Sequence, residues 1–127
     1  MKNAGLILAL VSSSMLATFS MAQEGHPYDG TWRGQLTRND DSIPVVVIMD
    51  YDGENITGMI NPGRNSYRFD SAEHDAPNWR LSVATQTRQG EAVSFTAVMK
   101  EPGARNRYME GTWTQAGVDY QFRIIRE

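Results

Sequence analysis

Residues Ala92–Arg126 read AVSFTAVMKEPGARNRYMEGTWTQAGVDYQFRIIR, and their alternation decides the fold. Val93, Phe95, Ala97 and Met99 fall on one face of an extended chain. Met109, Gly111 and Trp113 repeat the pattern, and so do Val118, Tyr120, Phe122 and Ile124. Apolar residues every second position describe strands with one face buried, because successive side chains point to opposite sides of a sheet. The segments between them hold Pro102-Gly103 and Ala116-Gly117, chain-reversing chemistry. Three consecutive strands joined by short connections therefore run antiparallel.

Working outward, the same grammar covers the chain from Tyr28 onward. Thr31–Arg38 places Trp32, Gly34 and Leu36 on one face, and Asn39-Asp40-Asp41 turns the chain. Pro44–Tyr51 places Val45, Val47, Met49 and Tyr51 together, with Val46 and Ile48 opposite, a strand covered on both sides. Asp52-Gly53-Glu54 is a tight turn, Ile56–Asn61 the third strand and Tyr67–Ser71 a weak fourth. Residues 72–78 are polar and contain Pro77, so they read as a loop. Trp79–Thr87 is the fifth strand, with Trp79, Leu81 and Val83 inward; Ala92–Lys100, Arg107–Thr114 and Val118–Arg126 complete the set. Eight short strands in a meander hide their edges most simply by closing. The expected fold is an all-β, eight-stranded antiparallel up-and-down barrel, with an open two-sheet sandwich as the alternative.

The segment before the strands is of another kind. Lys2 precedes a short apolar run, Ala4–Leu16, and Ser20-Met21-Ala22 offers small residues before Gln23. That order describes a secretory signal peptide over residues 1–22, leaving residues 23–127 as a single domain, periplasmic or secreted from a bacterium. The run falls short of the roughly 20 apolar residues that a membrane span needs. Arg33, Gln35, Arg80, Gln86, Asp119 and Arg123 on the outward faces argue against a transmembrane barrel. The chain of 127 residues has net charge −3, which argues against a nucleic-acid partner. It has no cysteine, so disulfides and thiolate chemistry are absent, and two histidines leave little room for a histidine-rich metal site.

Asp29-Gly30-Thr31-Trp32 at the opening of the first strand resembles the Gly-x-Trp signature of the lipocalins and wider calycin barrels. The resemblance implies that Trp32 plugs the closed barrel end and that a basic residue of the last strand packs on it. Arg126 has the inward parity for this role, and Arg123 does not. Short secreted bacterial barrels are more similar still, through Gly30-Thr31-Trp32-Arg33-Gly34-Gln35-Leu36, Ile56-Thr57-Gly58, Gly111-Thr112-Trp113 and Phe122-Arg123-Ile124. That likeness implies a fold more than a function. The avidin family also opens with Gly-x-Trp, but its vitamin-binding Asn and Ser would fall at Gly34 and Arg38, which argues against biotin.

Candidate chemistry is sparse. Asp50–Asn55 is a hairpin rather than a calcium loop, since the twelfth position from Asp50 is Asn61 and not a bidentate Glu. Asp70, Glu73, His74 and Asp75 form a solvated acidic loop or, less simply, a divalent-ion or general-base cluster. Pro62–Tyr67 and Pro102–Tyr108 resemble each other as turns at opposite barrel ends; Arg64 with Asn65 beside Tyr67 suits a carboxylate or phosphate. The inward rows are rich in aromatic residues and Met, which suits either a filled core or an adaptable pocket. The expected function is binding of a small apolar or amphipathic ligand by Tyr51, Phe95, Met99 and Tyr120 with Arg64, at a mouth among residues 39–42, 62–66, 89–90 and 115–117. The alternative is a protein-binding accessory or inhibitor domain with a filled barrel. No catalytic residue, metal or cofactor is expected.

Overall fold

The computed structural model describes residues 25–127. The proposed signal peptide, residues 1–22, lies outside them. The chain forms nine strands in one antiparallel sheet: β1 Gly30–Arg38, β2 Asp41–Tyr51, β3 Ile56–Ile60, β4 Tyr67–Arg68, β5 Ser71–Asp75, β6 Arg80–Gln86, β7 Ala92–Lys100, β8 Tyr108–Gln115 and β9 Val118–Arg126. Their order is β4-β3-β2-β1-β9-β8-β7-β6-β5, so every neighbour is a chain neighbour except β1 and β9, which join the two halves. The sheet curls into a half-barrel around its apolar face.

The alternation read from sequence is the alternation that is buried. Val93, Phe95, Ala97 and Met99 of β7, Met109 and Trp113 of β8, and Phe122 and Ile124 of β9 are all buried. Trp32, Leu36, Val45, Val47 and Met49 supply the core from β1 and β2. Register confirms the pairing, with Trp32 opposite Val47 on one side and Arg126 on the other. The outer face of β2 is not covered: Ile48 is 37% exposed and Val46 half-buried. Gly34 shows how the sheet bends. A Cβ there would run into the carbonyl oxygen of Arg123, so β1 lies closer to β9 than any other residue permits. Gly111 repeats this against Thr96 of β7.

Beyond the uncovered face of β2, two further sequence expectations are corrected. The strands number nine, not eight, and residues 72–78 are not a loop. Ser71–Asp75 pairs with β6 from Ser71↔Ala84 to Asp75↔Arg80, and a single 3-10 turn over Ala76–Asn78 follows. The edge of β6 needs hydrogen-bonding partners, and this segment supplies them although it has none of the β-branched residues that mark a strand. Both corrections have one source. The fourth expected strand, Tyr67–Ser71, is two: residues 67–68 pair with β3, then the chain crosses to β6. Phe69 N–H donates to Gly58 (3.0 Å) and Asp70 N–H to Ala84 (3.0 Å), while the Thr85 hydroxyl donates to the Arg68 carbonyl. Residues 68–70 thus stitch the two margins of the sheet.

Candidate functional site

The up-and-down order puts the reversals at two ends. At one end lie the 39–40, 61–66, 87–91 and 116–117 connections; at the other lie residues 52–55, 75–79 and 101–107. The two ends have different chemistry.

The end bearing residues 52–55 is sealed by the chain that precedes β1. Tyr28 is wholly buried, and its carbonyl oxygen accepts the indole N–H of Trp32 at 2.8 Å. The Asp29 carboxylate accepts two backbone N–H groups, from His26 (3.0 Å) and Tyr51 (2.6 Å). Arg107 Nε donates to the Pro27 carbonyl (2.6 Å) and Arg126 Nε to the Asp29 carbonyl (2.5 Å). Arg126 therefore stands opposite Trp32 and ties down the plug through a carbonyl. Among the described residues, the guanidinium that sits over a ring is that of Arg123, 4.6 Å from the centroid of Tyr108. An aromatic cluster fills the space behind the plug. His26 and Tyr51 lie 4.0 Å apart by ring centroid, Tyr28 and His74 4.8 Å, and Trp79 packs about 6 Å from His26, Tyr28 and His74. Burial raises the Tyr28 hydroxyl well above the ordinary tyrosine range, with Asp75 adding to the effect, and burial lowers His26. The Tyr28 hydroxyl and His74 Nε2 are buried with no hydrogen-bond partner.

The other end is open. A half-enclosed cleft of about 410 Å³ lies between the connections, lined by Leu36, Ile43, Pro44, Val45, Trp113 and Tyr120 on its apolar sides. Asn61, Asn65, Tyr67, Thr87, Gln89, Glu91 and Gln115 bring polar groups to it. Some are already committed to holding the walls. Asn61 Oδ1 accepts the Val46 N–H at 3.1 Å. Trp113 Nε1 donates to Gln115 Oε1 (3.1 Å), and Gln115 Nε2 donates to Glu91 Oε1 (3.0 Å). The Tyr67 hydroxyl is pushed up to about 12, first by burial and then by the Glu91 charge.

The five residues singled out as ligand-binding do not converge. Tyr120 lines the open cleft. Arg64 is exposed on the neighbouring 61–66 connection and does not line it. Phe95 is in the middle of the core, stacked on Trp113 at 5.6 Å and tilted against Phe122 at 4.8 Å. Met99 is buried and Tyr51 half-buried toward the plugged end, where the Tyr51 hydroxyl donates to Gly53 (3.1 Å). The acidic cluster is also divided. Strand alternation in β5 turns Ala72 and His74 inward and leaves Ser71, Glu73 and Asp75 exposed. Among the described residues no group of three or more His, Asp or Glu side chains could hold a metal ion.

Sequence reading placed Gln115 at the mouth and named Tyr67 beside Arg64 and Asn65, but missed Glu91 in the cleft and His26, Tyr28 and Arg107 at the plug. Parity held a signal for Glu91 as it did for Gln115. Gln115 continues the inward row of Met109, Gly111 and Trp113, and Glu91 precedes that of Val93 and Phe95. No comparable signal marked His26, Tyr28 or Arg107, because their contacts form between segments far apart in sequence. Comparisons with known protein families, with curated proteins and with solved structures find no match to this chain. Among the described residues no helix is long and apolar enough to cross a membrane.

Proposed function

We propose that this chain is an exported, non-enzymatic, lipocalin-like module that takes one small amphipathic ligand into its open end. One observation carries the reading: the cleft of about 410 Å³, apolar below and amide-lined at its rim, opposite a plugged end. Such a volume lies in the range of small-molecule sites, and a few fixed polar groups over an apolar floor are what orient a ligand. The export signal over residues 1–22 and a periplasmic or secreted location belong to the same proposal. Mass measurement of the exported protein should give a chain that starts at Gln23.

The neutral dye N-phenyl-1-naphthylamine tests the cleft. Its fluorescence should rise saturably on mixing with the protein. Ile43, 45% exposed at the cleft wall, can be changed without disturbing the core. Ile43→Asp should weaken the dye by about fivefold, the worth of roughly 1 kcal/mol of apolar contact. No saturable binding by the folded protein would defeat the proposal.

A second reading is a protein-binding accessory or inhibitor domain. The packing of Phe69, Phe95, Trp113 and Phe122 favours it, because a core filled in this way leaves the loops and outer face to act. Dye binding that is indifferent to Ile43→Asp would favour this reading over the first.

A further inference from the structure

We infer that the open cleft selects an amphiphile whose head group is a positively charged amine and discriminates against a carboxylate head. The inference rests on the cleft being a ligand site and names the chemistry that site prefers.

Among the residues lining the cleft, Glu91 is the charged one. Its position is built rather than incidental. The Trp113 indole, whose ring is buried, donates to Gln115 Oε1, and the same amide donates through Nε2 to one carboxylate oxygen of Glu91. A side chain held by a relay anchored in the core loses less rotamer freedom on binding than a loose surface charge. The Glu91 backbone is held as well: its N–H donates to Thr87 Oγ1 (3.1 Å), and its carbonyl accepts the Thr87 N–H (2.9 Å). The relay occupies one oxygen of the carboxylate and leaves the second for a donor on a ligand. Tyr67, another residue of the lining, has a hydroxyl made harder to ionise first by burial and then by the Glu91 charge.

The nearby cations are placed differently. Arg64 and Arg88 are exposed on the adjoining connections and do not line the cleft. Arg88 Nε is committed to the Ser66 carbonyl at 3.2 Å. Arg38 lies beyond the cleft at the end of β1, close to Asp40 and Asp41 in the chain. A head group entering over Leu36, Val45 and Tyr120 therefore meets a fixed carboxylate in the wall, and meets arginines only outside it. An ammonium group gains a charge-assisted hydrogen bond there, whereas a carboxylate meets like charge.

Three probes of one chain length separate head-group preference from apolar binding: decylammonium, decanol and decanoate, each below its micelle concentration at pH 7.5. Binding is read from the backbone amide shifts of Asn61, Gln89, Ala116 and Tyr120. Decylammonium should bind about fivefold tighter than decanoate, as expected of one partly screened charge contact, with decanol between them. Glu91→Gln should bring the three together, and Glu91→Lys should reverse the order; Glu91 is exposed, so neither change disturbs the core. Arg64→Ala should leave the order as it was. Decanoate binding as tightly as decylammonium, or a preference that survives Glu91→Gln, would overturn the inference while decanol binding kept the cleft as a site. Failure of all three probes would overturn the ligand-binding proposal and the inference with it.

Discussion

Trp32 and Tyr28 are neighbours with opposite hydrogen-bond accounts, and the difference sets what their replacement should do. The Trp32 indole is buried and its N–H reaches the Tyr28 carbonyl, so Trp32→Phe removes a satisfied donor and strands that carbonyl. A loss of about 2–3 kcal/mol is expected, seen as a lower urea midpoint at unchanged slope. The Tyr28 hydroxyl is buried without a partner, so Tyr28→Phe removes a group whose desolvation nothing offsets. It should leave stability unchanged or raise it by up to about 1 kcal/mol. His74→Leu should behave in the same way, because His74 Nε2 is likewise unpartnered. A large loss for either change would mean that a bound water or ligand satisfies these atoms. His26 gives the plug a pH dependence. Burial lowers its pKa from 6.5, partly opposed by Asp29 and reinforced by His74 and Arg107, and its Nδ1 accepts the Tyr28 N–H at 3.3 Å. The folded chain thus takes up the proton less readily than the unfolded one. Stability is full above about pH 6.5 and falls as pH drops through the lowered value. Urea midpoints at pH 7.5 and 5.0 should diverge in the unaltered protein and diverge less in His26→Phe; an equal difference in both would remove His26 from the account.

At the scale of the element, a strand was readable where its own side chains specified it and hidden where its neighbours did. The bounds of β7 and β9 follow from unbroken alternation, Val93 to Met99 and Val118 to Ile124, and the observed strands match those read from sequence. β5 was missed because Ser71-Ala72-Glu73-His74-Asp75 forms a strand only by completing the edge of β6. The same distinction applies to the candidate site. Tyr120 was legible as a cleft residue because it sits beside a turn on the inward row. Tyr51, Phe95 and Met99 share that parity but not that height along the barrel, and parity alone carries no information about height. Gly34 belongs to this scale too, since its role depends on the approach of two strands. Gly34→Ala would drive a Cβ into the backbone of β9 and should cost about 3 kcal/mol or more, well beyond the roughly 0.5–1 kcal/mol that removing a strand glycine ordinarily returns. A neutral or stabilising result, measured by thermal unfolding, would show that β1 can move away from β9.

The whole molecule is a sheet whose first and last strands are its interior seam and whose middle holds its margins. β1 and β9 pair from Trp32↔Arg126 to Thr37↔Gln121, and each is also paired on its other side. β4 is two residues long, and the margin it forms with β5 is stitched by a few hydrogen bonds, across residues 68–70 and from Arg88 Nε to the Ser66 carbonyl. Local opening begins where few hydrogen bonds and little buried apolar surface must be given up. Opening should therefore start in the middle of the sequence rather than at the described chain ends. Native-state hydrogen exchange can decide this. The amides of Phe69 and Asp70 should exchange fastest among the hydrogen-bonded backbone, while those of Trp113, Phe122 and Ile124 should exchange only with global unfolding. The margin also borders the cleft, through Tyr67. A ligand seated there should slow exchange at Phe69 and Asp70, coupling the occupied mouth to the stitched margin. If those amides are as well protected as β9 in the free protein, the two margins are joined as firmly as the paired strands, and the coupling has nothing to act on.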